Sequence, residues 1–260
     1  MSELRHRRLR NLAINRLIPN GLTLLALSAG LSAIRLALTD RWELAVAAIG
    51  VAMVLDAMDG SIARLIDATS EFGAQLDSLA DVVNFGVAPA LMVYLWAMGG
   101  SGGLGWALAL VFVICCALRL ARFNVSLGLD EPVPWTKRFF TGVPAPAGAG
   151  LVLLPMVLSF ELGEGFLSSS WVNGVMLAFV GALMVSRIPT YSAKRVTVAH
   201  HRVGLVLIGV GAFGAFLLST PWVTLSLLGL AYLGSIPFAV ASYRRLVSSM
   251  PPSSIVEDEQ

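Results

Sequence analysis

The run LIPNGLTLLALSAGLSAIRLAL, Leu17–Leu38, decides how this chain is read. A basic segment precedes it, Arg5-His6-Arg7-Arg8-Leu9-Arg10 with Arg16 beyond, which gives it the look of a secretory signal. A signal core extends only ~7–15 residues before its cleavage site. This run reaches the ~20 residues that carry a helix across ~30 Å of hydrocarbon, so it is read as a retained first membrane span. Apolar segments recur at Leu44–Met58, Leu79–Met98, Leu104–Leu120, Val143–Leu162, Trp171–Ile188, Val203–Leu218 and Trp222–Tyr243. The expected fold is therefore all-α, a polytopic membrane bundle of about eight transmembrane helices.

Composition agrees. Apolar residues make up 57% of the 260 and charged residues 13%, against ~45–50% and ~25% in soluble domains. A formal charge of +2 gives no reason to expect nucleic-acid binding. The two cysteines, Cys115 and Cys116, are adjacent in an apolar run and supply neither a disulfide framework nor a zinc site. Assigning alternate separators to the two sides puts nearly all cations on one side, from the N-terminal run through Arg64, Arg119, Arg122, Arg187 and Lys194 to Arg244 and Arg245. Only Arg35 and Arg41 fall opposite. By the positive-inside rule the crowded side is the cytoplasm, with both termini there and the protein integral to the cytoplasmic membrane. Residues 1–16 are expected as a basic cytoplasmic segment, 17–247 as a single transmembrane domain, and 248–260 as a disordered tail, since Pro251-Pro252 and Glu257-Asp258-Glu259 do not continue a packed helix.

Four carboxylates stand out. Asp56 and Asp59 end the second apolar segment, and Asp77 and Asp81 begin the third. An ionised Asp in a bilayer costs roughly 2.5–3.5 kcal/mol on insertion scales, so each needs a partner. Spacings of three and four residues put each pair on one helical face, and a short connection brings the faces together. Arg64 supplies one positive charge against four negative ones. All-oxygen ligands without His or Cys favour hard divalent ions, Mg²⁺ or Mn²⁺, and two of them would neutralise the cluster. Such a pair suits in-line phosphoryl displacement. Gly60, Ala63 and Gly73 leave space beside the metals, and Arg64 is placed to clamp a phosphate. A cation-coupled transporter built on the same carboxylates is the rival reading.

Taken together, Asp56-x2-Asp59-Gly60-x2-Ala63-Arg64-x8-Gly73-x3-Asp77-x3-Asp81 resembles the signature of the CDP-alcohol phosphotransferases, with every position present. Pro19-Asn20-Gly21-Leu22-Thr23, Asp81 to Pro89, Leu118 to Asn124, Phe140 to Pro146 and Ser186 to Tyr191 resemble the bacterial branch of that family that uses serine. The resemblance implies a six-helix catalytic core plus two added helices, two divalent cations, a homodimer, and transfer of a phosphatidyl group from CDP-diacylglycerol to L-serine. It also implies that Asp56, Asp59, Asp77 and Asp81 hold the metals and that Asp81 acts as general base. Asn20, Thr23, Gly60, Ala63, Arg64, Ser70 and Gly73 would form the CDP-lipid site. For the acceptor carboxylate the candidates are Arg119, Arg122, Arg187 and Lys194. Glycerol 3-phosphate would want the same cations, so a sister enzyme with that acceptor, or an inositol type, stays open.

Other patterns are discounted. Gly209-x-Gly211-x-x-Gly214 matches a dinucleotide fingerprint but lies in a spanning segment with no preceding strand, where close helix packing would explain it. Gly99-x-Ser101-x-Gly103 reads as a turn rather than a nucleophile elbow. His200-His201, Asp67 and Glu71 read as solvated loop residues, and Phe85, Phe139 and Phe140 as lipid-passage or interfacial aromatics.

Overall fold

A computed structural model describes residues 2–67, 70–127, 139–186, 188–191 and 203–248. Six of its helical segments are long and apolar enough to cross a membrane: Leu17–Ala37, Trp42–Leu65, Glu71–Met98, Gly102–Val125, Ala145–Leu162 and Pro221–Ser242. Two shorter apolar helices, Ser170–Val185 and Val206–Ser219, fall below that length. The protein is thus an integral membrane helical bundle, with six full-length spans among the described residues; the expected count of eight is not confirmed. A belt of exposed Leu, Val and Phe, including Leu25, Leu31, Val54, Leu79, Val175 and Ile208, surrounds it. Continuous apolar surface of that extent is what lipid covers.

Helix α1, Ser2–Ala37, runs unbroken through Pro19, so Asn20 and Thr23 lie well inside a helix that begins far upstream of the apolar run. A tight reversal at Thr39-Asp40-Arg41, with Asp40 at a φ of 56°, leads into α2, Trp42–Leu65. Asp is among the few non-glycine residues that take this conformation readily. The two helices pack through small residues, with Ala26, Ala33 and Ala37 of α1 and Ala45, Ile49 and Ala52 of α2 all buried. Small side chains let backbones approach where no hydrophobic drive separates helix from lipid.

Two expected boundaries are corrected. The apolar segments stop at Met58 and resume at Leu79, yet α2 continues to Leu65 and α3, Glu71–Asp81, starts soon after. Apolar run length undercounts these helices because one face of each is polar. Asp67, at a φ of 51°, ends the first and Glu71 opens the second, so Glu71 is a helix residue. Ser70 caps α3, its Oγ accepting the Gly73 N–H at 3.0 Å. The same rod continues through a π-helical turn at Val82–Val87, α4 at Ala88–Val93, and a second π-helical turn at Tyr94–Met98.

Helix α5, Gly102–Leu127, packs against α8, Ser170–Val185, with Phe112, Cys116, Leu177 and Val180 buried. Between them lie α6, Ala145–Val152, and α7, Leu154–Leu162. A short antiparallel ribbon, unexpected in an all-α fold, pairs β1, Phe139–Thr141, with β2, Pro189–Tyr191. Phe85 is fully buried in the core, which removes it as a lipid-passage residue. Helix α9, Val203–Ser219, and α10, Pro221–Ser248, complete the described chain. The close packing expected at Gly209, Gly211 and Gly214 is not found among the described residues, since a Cβ at any of them would meet nothing within 4 Å. His200, His201 and the tail 249–260 lie outside the described residues.

Asn84, on the first π-helical turn, is 1% exposed and its amide group packs directly on Gly30 of α1. Replacing Gly30 by Val should therefore overpack the contact between α1 and this π-helical turn and lower stability by about 1–3 kcal/mol. Gly209→Ala should change it by less than about 0.5 kcal/mol. Unfolding of both variants in detergent, followed by circular dichroism, checks the contrast.

Candidate active site

Three helices converge at one end of the bundle. Helix α1 contributes Asn20 and Thr23, α2 contributes Asp56, Asp59, Gly60, Ala63 and Arg64, and α3 contributes Gly73, Asp77 and Asp81, with Ser70 at its cap. The seam Ala45-Ile49-Ala52 of α2, extended by the helical repeat, leads to Asp56 and Asp59, so the carboxylates continue the face that packs against α1. Asp59 is only 4% exposed.

Three of the four carboxylates gather, and Asp81 is not among those three. Asp56, Asp59 and Asp77 each offer an oxygen, and these oxygens all lie within 4.8 Å of one another. Asp81 interacts electrostatically with Asp56, Asp77 and Asp59 and with Arg119. Two buried oxygens, Asp77 Oδ1 and Asp81 Oδ1, have no hydrogen-bond partner among the described residues. Buried carboxylate oxygens of this kind are costly unless a cation or donor meets them. Hard oxygen donors, mutual proximity and orphaned lone pairs together fit a divalent cation site.

Thr23 fixes the geometry of one of these carboxylates. Its Oγ1 lies 2.6 Å from Asp59 Oδ2 and 3.1 Å from the Pro19 carbonyl oxygen. A hydroxyl has one proton, and the shorter, charge-assisted bond to Asp59 takes it.

Beside the carboxylates lies a cavity of about 270 Å³. Asn20, Thr23, Gly60, Ala63, Arg64, Ser70 and Gly73, all seven residues assigned by resemblance to the CDP-lipid site, line it together with Asp59 and Asp77. Gly73 has a steric reason to be glycine, since a Cβ there would come within 2.9 Å of Asn20 Oδ1 and 3.1 Å of Ser70 Oγ. Pro19 and Ala74 also line the cavity and were not picked out from the sequence as site residues. Ala74 had a faint signal as a small residue one turn before Asp77.

The acceptor candidates separate. Arg119 is 9% exposed, with its guanidinium carbon 5.6 Å from the centre of the Phe123 ring, a cation–π contact one turn along α5. Arg122 instead donates to the carbonyls that end α8, at 2.8 Å to Val185, 3.2 Å to Ser186 and 3.4 Å to Met184. Its donors thus satisfy helix-terminal acceptors. Arg187 and Lys194 lie outside the described residues. Asn124 Nδ2 donates to Ser78 Oγ at 2.7 Å and ties α5 to the helix carrying Asp77 and Asp81, a link that the sequence alone did not suggest.

A membrane bundle that holds a carboxylate cluster against a polar cavity at one end has the layout of an enzyme working on phosphate esters of lipids. Comparison with known proteins agrees. Residues 16–185 match the family model described as CDP-alcohol phosphatidyltransferase, and residues 203–237 match a second, CDP-alcohol phosphatidyltransferase 2. The chain is 38% identical over 244 residues to a Mycobacterium leprae protein named CDP-diacylglycerol–serine O-phosphatidyltransferase, a match covering 94% of this chain and 80% of that one. A protein of the same name from Mycobacterium tuberculosis is 38% identical over 230 residues, 88% of this chain and 80% of its own. One from Helicobacter pylori is 37% identical over 182 residues, 69% and 74% respectively. This chain belongs to the CDP-alcohol phosphatidyltransferase family. It is a phosphotransferase, which sets the transporter reading aside, and enzymes of this family use divalent metal ions.

If Thr23 orients Asp59 as a metal ligand, Thr23→Val should weaken Mn²⁺ binding about 10–100-fold, the usual cost of removing an outer-shell partner. Isothermal titration of purified protein measures this, and an unchanged affinity would contradict the orienting role.

Proposed function

We propose that this enzyme transfers the phosphatidyl group of CDP-diacylglycerol to the hydroxyl of L-serine, giving phosphatidylserine and CMP. The observation that carries the reading is the likeness to relatives named for that reaction over four-fifths of their length. The gathering of the motif carboxylates beside a polar cavity supports it.

In this reading Asp56, Asp59, Asp77 and Asp81 hold two divalent cations, Mg²⁺ or Mn²⁺. Such ions supply neutralisation of the pyrophosphate and stabilise both the attacking and the leaving oxygen. Asn20, Thr23, Ser70 and Arg64 surround the CDP portion, with Arg64 offsetting charge on the phosphates and Gly60, Ala63 and Gly73 leaving it room. Asp81 takes the proton of the serine hydroxyl as its oxygen bonds to the phosphorus that carries the diacylglycerol. The bond from that phosphorus to the CMP oxygen breaks, and CMP leaves with the electron pair. Arg119, buried beside Asp81, holds the serine carboxylate, an assignment favoured over Arg122 because the Arg122 donors are already engaged. The protein works as a homodimer in the cytoplasmic membrane, with site and termini on the cytoplasmic side. The crowding of cations on that side supports the orientation.

Purified protein in detergent with CDP-diacylglycerol, Mn²⁺ and labelled serine is expected to release CMP and label lipid in equal amounts. Lipid labelling from glycerol 3-phosphate but not from serine would reject the acceptor. Asp81→Asn should lower turnover by about 10²–10⁴-fold, the usual share of a general base, while the protein still purifies as a folded species. Wild-type rates from that variant would refute the role of Asp81.

A further inference from the structure

Asp77, Asp81 and Asn84 follow one another at steps of four and three residues along the rod formed by α3 and the first π-helical turn, so they keep to one side of it. All three carry buried polar atoms without a hydrogen-bond partner among the described residues: Asp77 Oδ1, Asp81 Oδ1, and both Oδ1 and Nδ2 of Asn84. The proposed cation site would employ the two carboxylates. It leaves Asn84 unexplained, although that residue is the most enclosed of the three, at 1% exposure.

Two contacts of asparagine on glycine fix where the amide lies. A Cβ at Gly73 of α3 would meet Asn20 Oδ1 of α1, and a Cβ at Gly30 of α1 would meet Asn84 Oδ1. From the first contact to the second is ten residues on α1 and eleven on the rod, about 15–17 Å of helix on each, so the two run parallel and in step. Thr23, Asp77 and Asp81 fall between the contacts. The first contact borders the nucleotide cavity. The second lies beyond Asp81, toward the bundle interior, where Ala33, Phe85 and Ala88 are all fully buried and apolar.

Polar side chains inside a membrane bundle commonly hydrogen-bond across helices. Asn84 makes no such bond to α1 although its amide packs on Gly30. A buried amide without protein partners calls for a bound water or ion. A cation would meet Oδ1 alone and leave the Nδ2 donor unsatisfied, whereas a water both accepts and donates. Positions three apart on a helix stand ~5–6 Å apart at Cβ, a gap that one water spans with two hydrogen bonds of ~2.8–2.9 Å.

We propose that Asn84 is a positioning residue for Asp81, its amide holding an internal water that fixes the rotation of the Asp81 carboxylate. The inference rests on the proposed role of Asp81 as general base. The water accepts a hydrogen bond from Asn84 Nδ2 and donates one to Asp81 Oδ1, which leaves the other lone pairs of that carboxylate to a cation and to the serine proton. Asn84 is set on a π-helical turn, a feature that recurs at functional sites.

Variants of the full-length protein test this in the CMP-release assay. Asn84→Leu keeps the volume and removes both hydrogen-bonding groups. Turnover should fall about 10–100-fold, the usual cost of losing an outer-shell partner, with the KM for CDP-diacylglycerol changed less than about twofold. Thermal unfolding in detergent should be unchanged or shifted upward, since an apolar group replaces an unsatisfied amide. Asn84→Ser keeps a hydroxyl for the same water and should return to within about fivefold of wild type. Wild-type turnover from Asn84→Leu, or Asn84→Ser no better than Asn84→Leu, would overturn the proposal. A high-resolution experimental structure of the wild-type protein needs no variant. An ordered water is expected ~2.7–3.2 Å from both Asn84 Nδ2 and Asp81 Oδ1, and a well-defined amide with no water beside it would overturn the proposal equally. Wild-type protein that releases no CMP with serine or any other alcohol defeats the proposed reaction, and the ordered water then decides the Asn84 site by itself.

Discussion

Four aspartates converge inside helices that traverse hydrocarbon, and the cost of keeping them there organises this molecule. Each ionised carboxylate would oppose insertion by roughly 2.5–3.5 kcal/mol if left alone, and three of them, Asp56, Asp59 and Asp77, lie within 4.8 Å of one another and repel further. Thr23 offers one hydrogen bond to Asp59, and Arg119 interacts electrostatically with Asp81. These two partners do not balance the cluster, and the orphaned oxygens of Asp77 and Asp81 record the shortfall. In the proposed reading divalent cations would close it, and the same ions would make the cluster an instrument for phosphate chemistry.

The surroundings follow from that demand. Small residues on α1 and α2 bring the helices close enough for Thr23 to reach Asp59. The Ser70 cap starts α3 early enough to place Gly73 against Asn20 and Asp77 over the cavity. Asn124 and Arg122 pin α5 to α3 and to the end of α8, holding Arg119 at the cluster.

Much of this was legible in the sequence because the chemistry is concentrated. Asp56, Asp59, Asp77 and Asp81 stand out against apolar segments, and their spacings place each pair on one helical face without any tertiary knowledge. The seven residues around the nucleotide cavity, by contrast, came through family resemblance, and the structure brings them together. Helix ends were less legible. Leu65 and Glu71 bound helices whose inner faces are polar, so a search for apolar runs stops short of them. The ribbon between Phe139–Thr141 and Pro189–Tyr191 is three residues long and pairs segments about fifty residues apart, too short and too distant for periodicity to show. The engagement of Arg122 with α8 was hidden for the same reason. A cation on an inward-facing helix looks the same in sequence whether it serves a substrate or a neighbouring carbonyl.

The central claim is that the carboxylates are one cation site. Electron paramagnetic resonance of purified protein titrated with Mn²⁺ addresses it most directly. The account predicts two tightly bound ions per chain with the spectral coupling of a close pair, lost together in Asp56→Asn or Asp77→Asn. Retention of only weak, uncoupled Mn²⁺, unaffected by those substitutions, would contradict it.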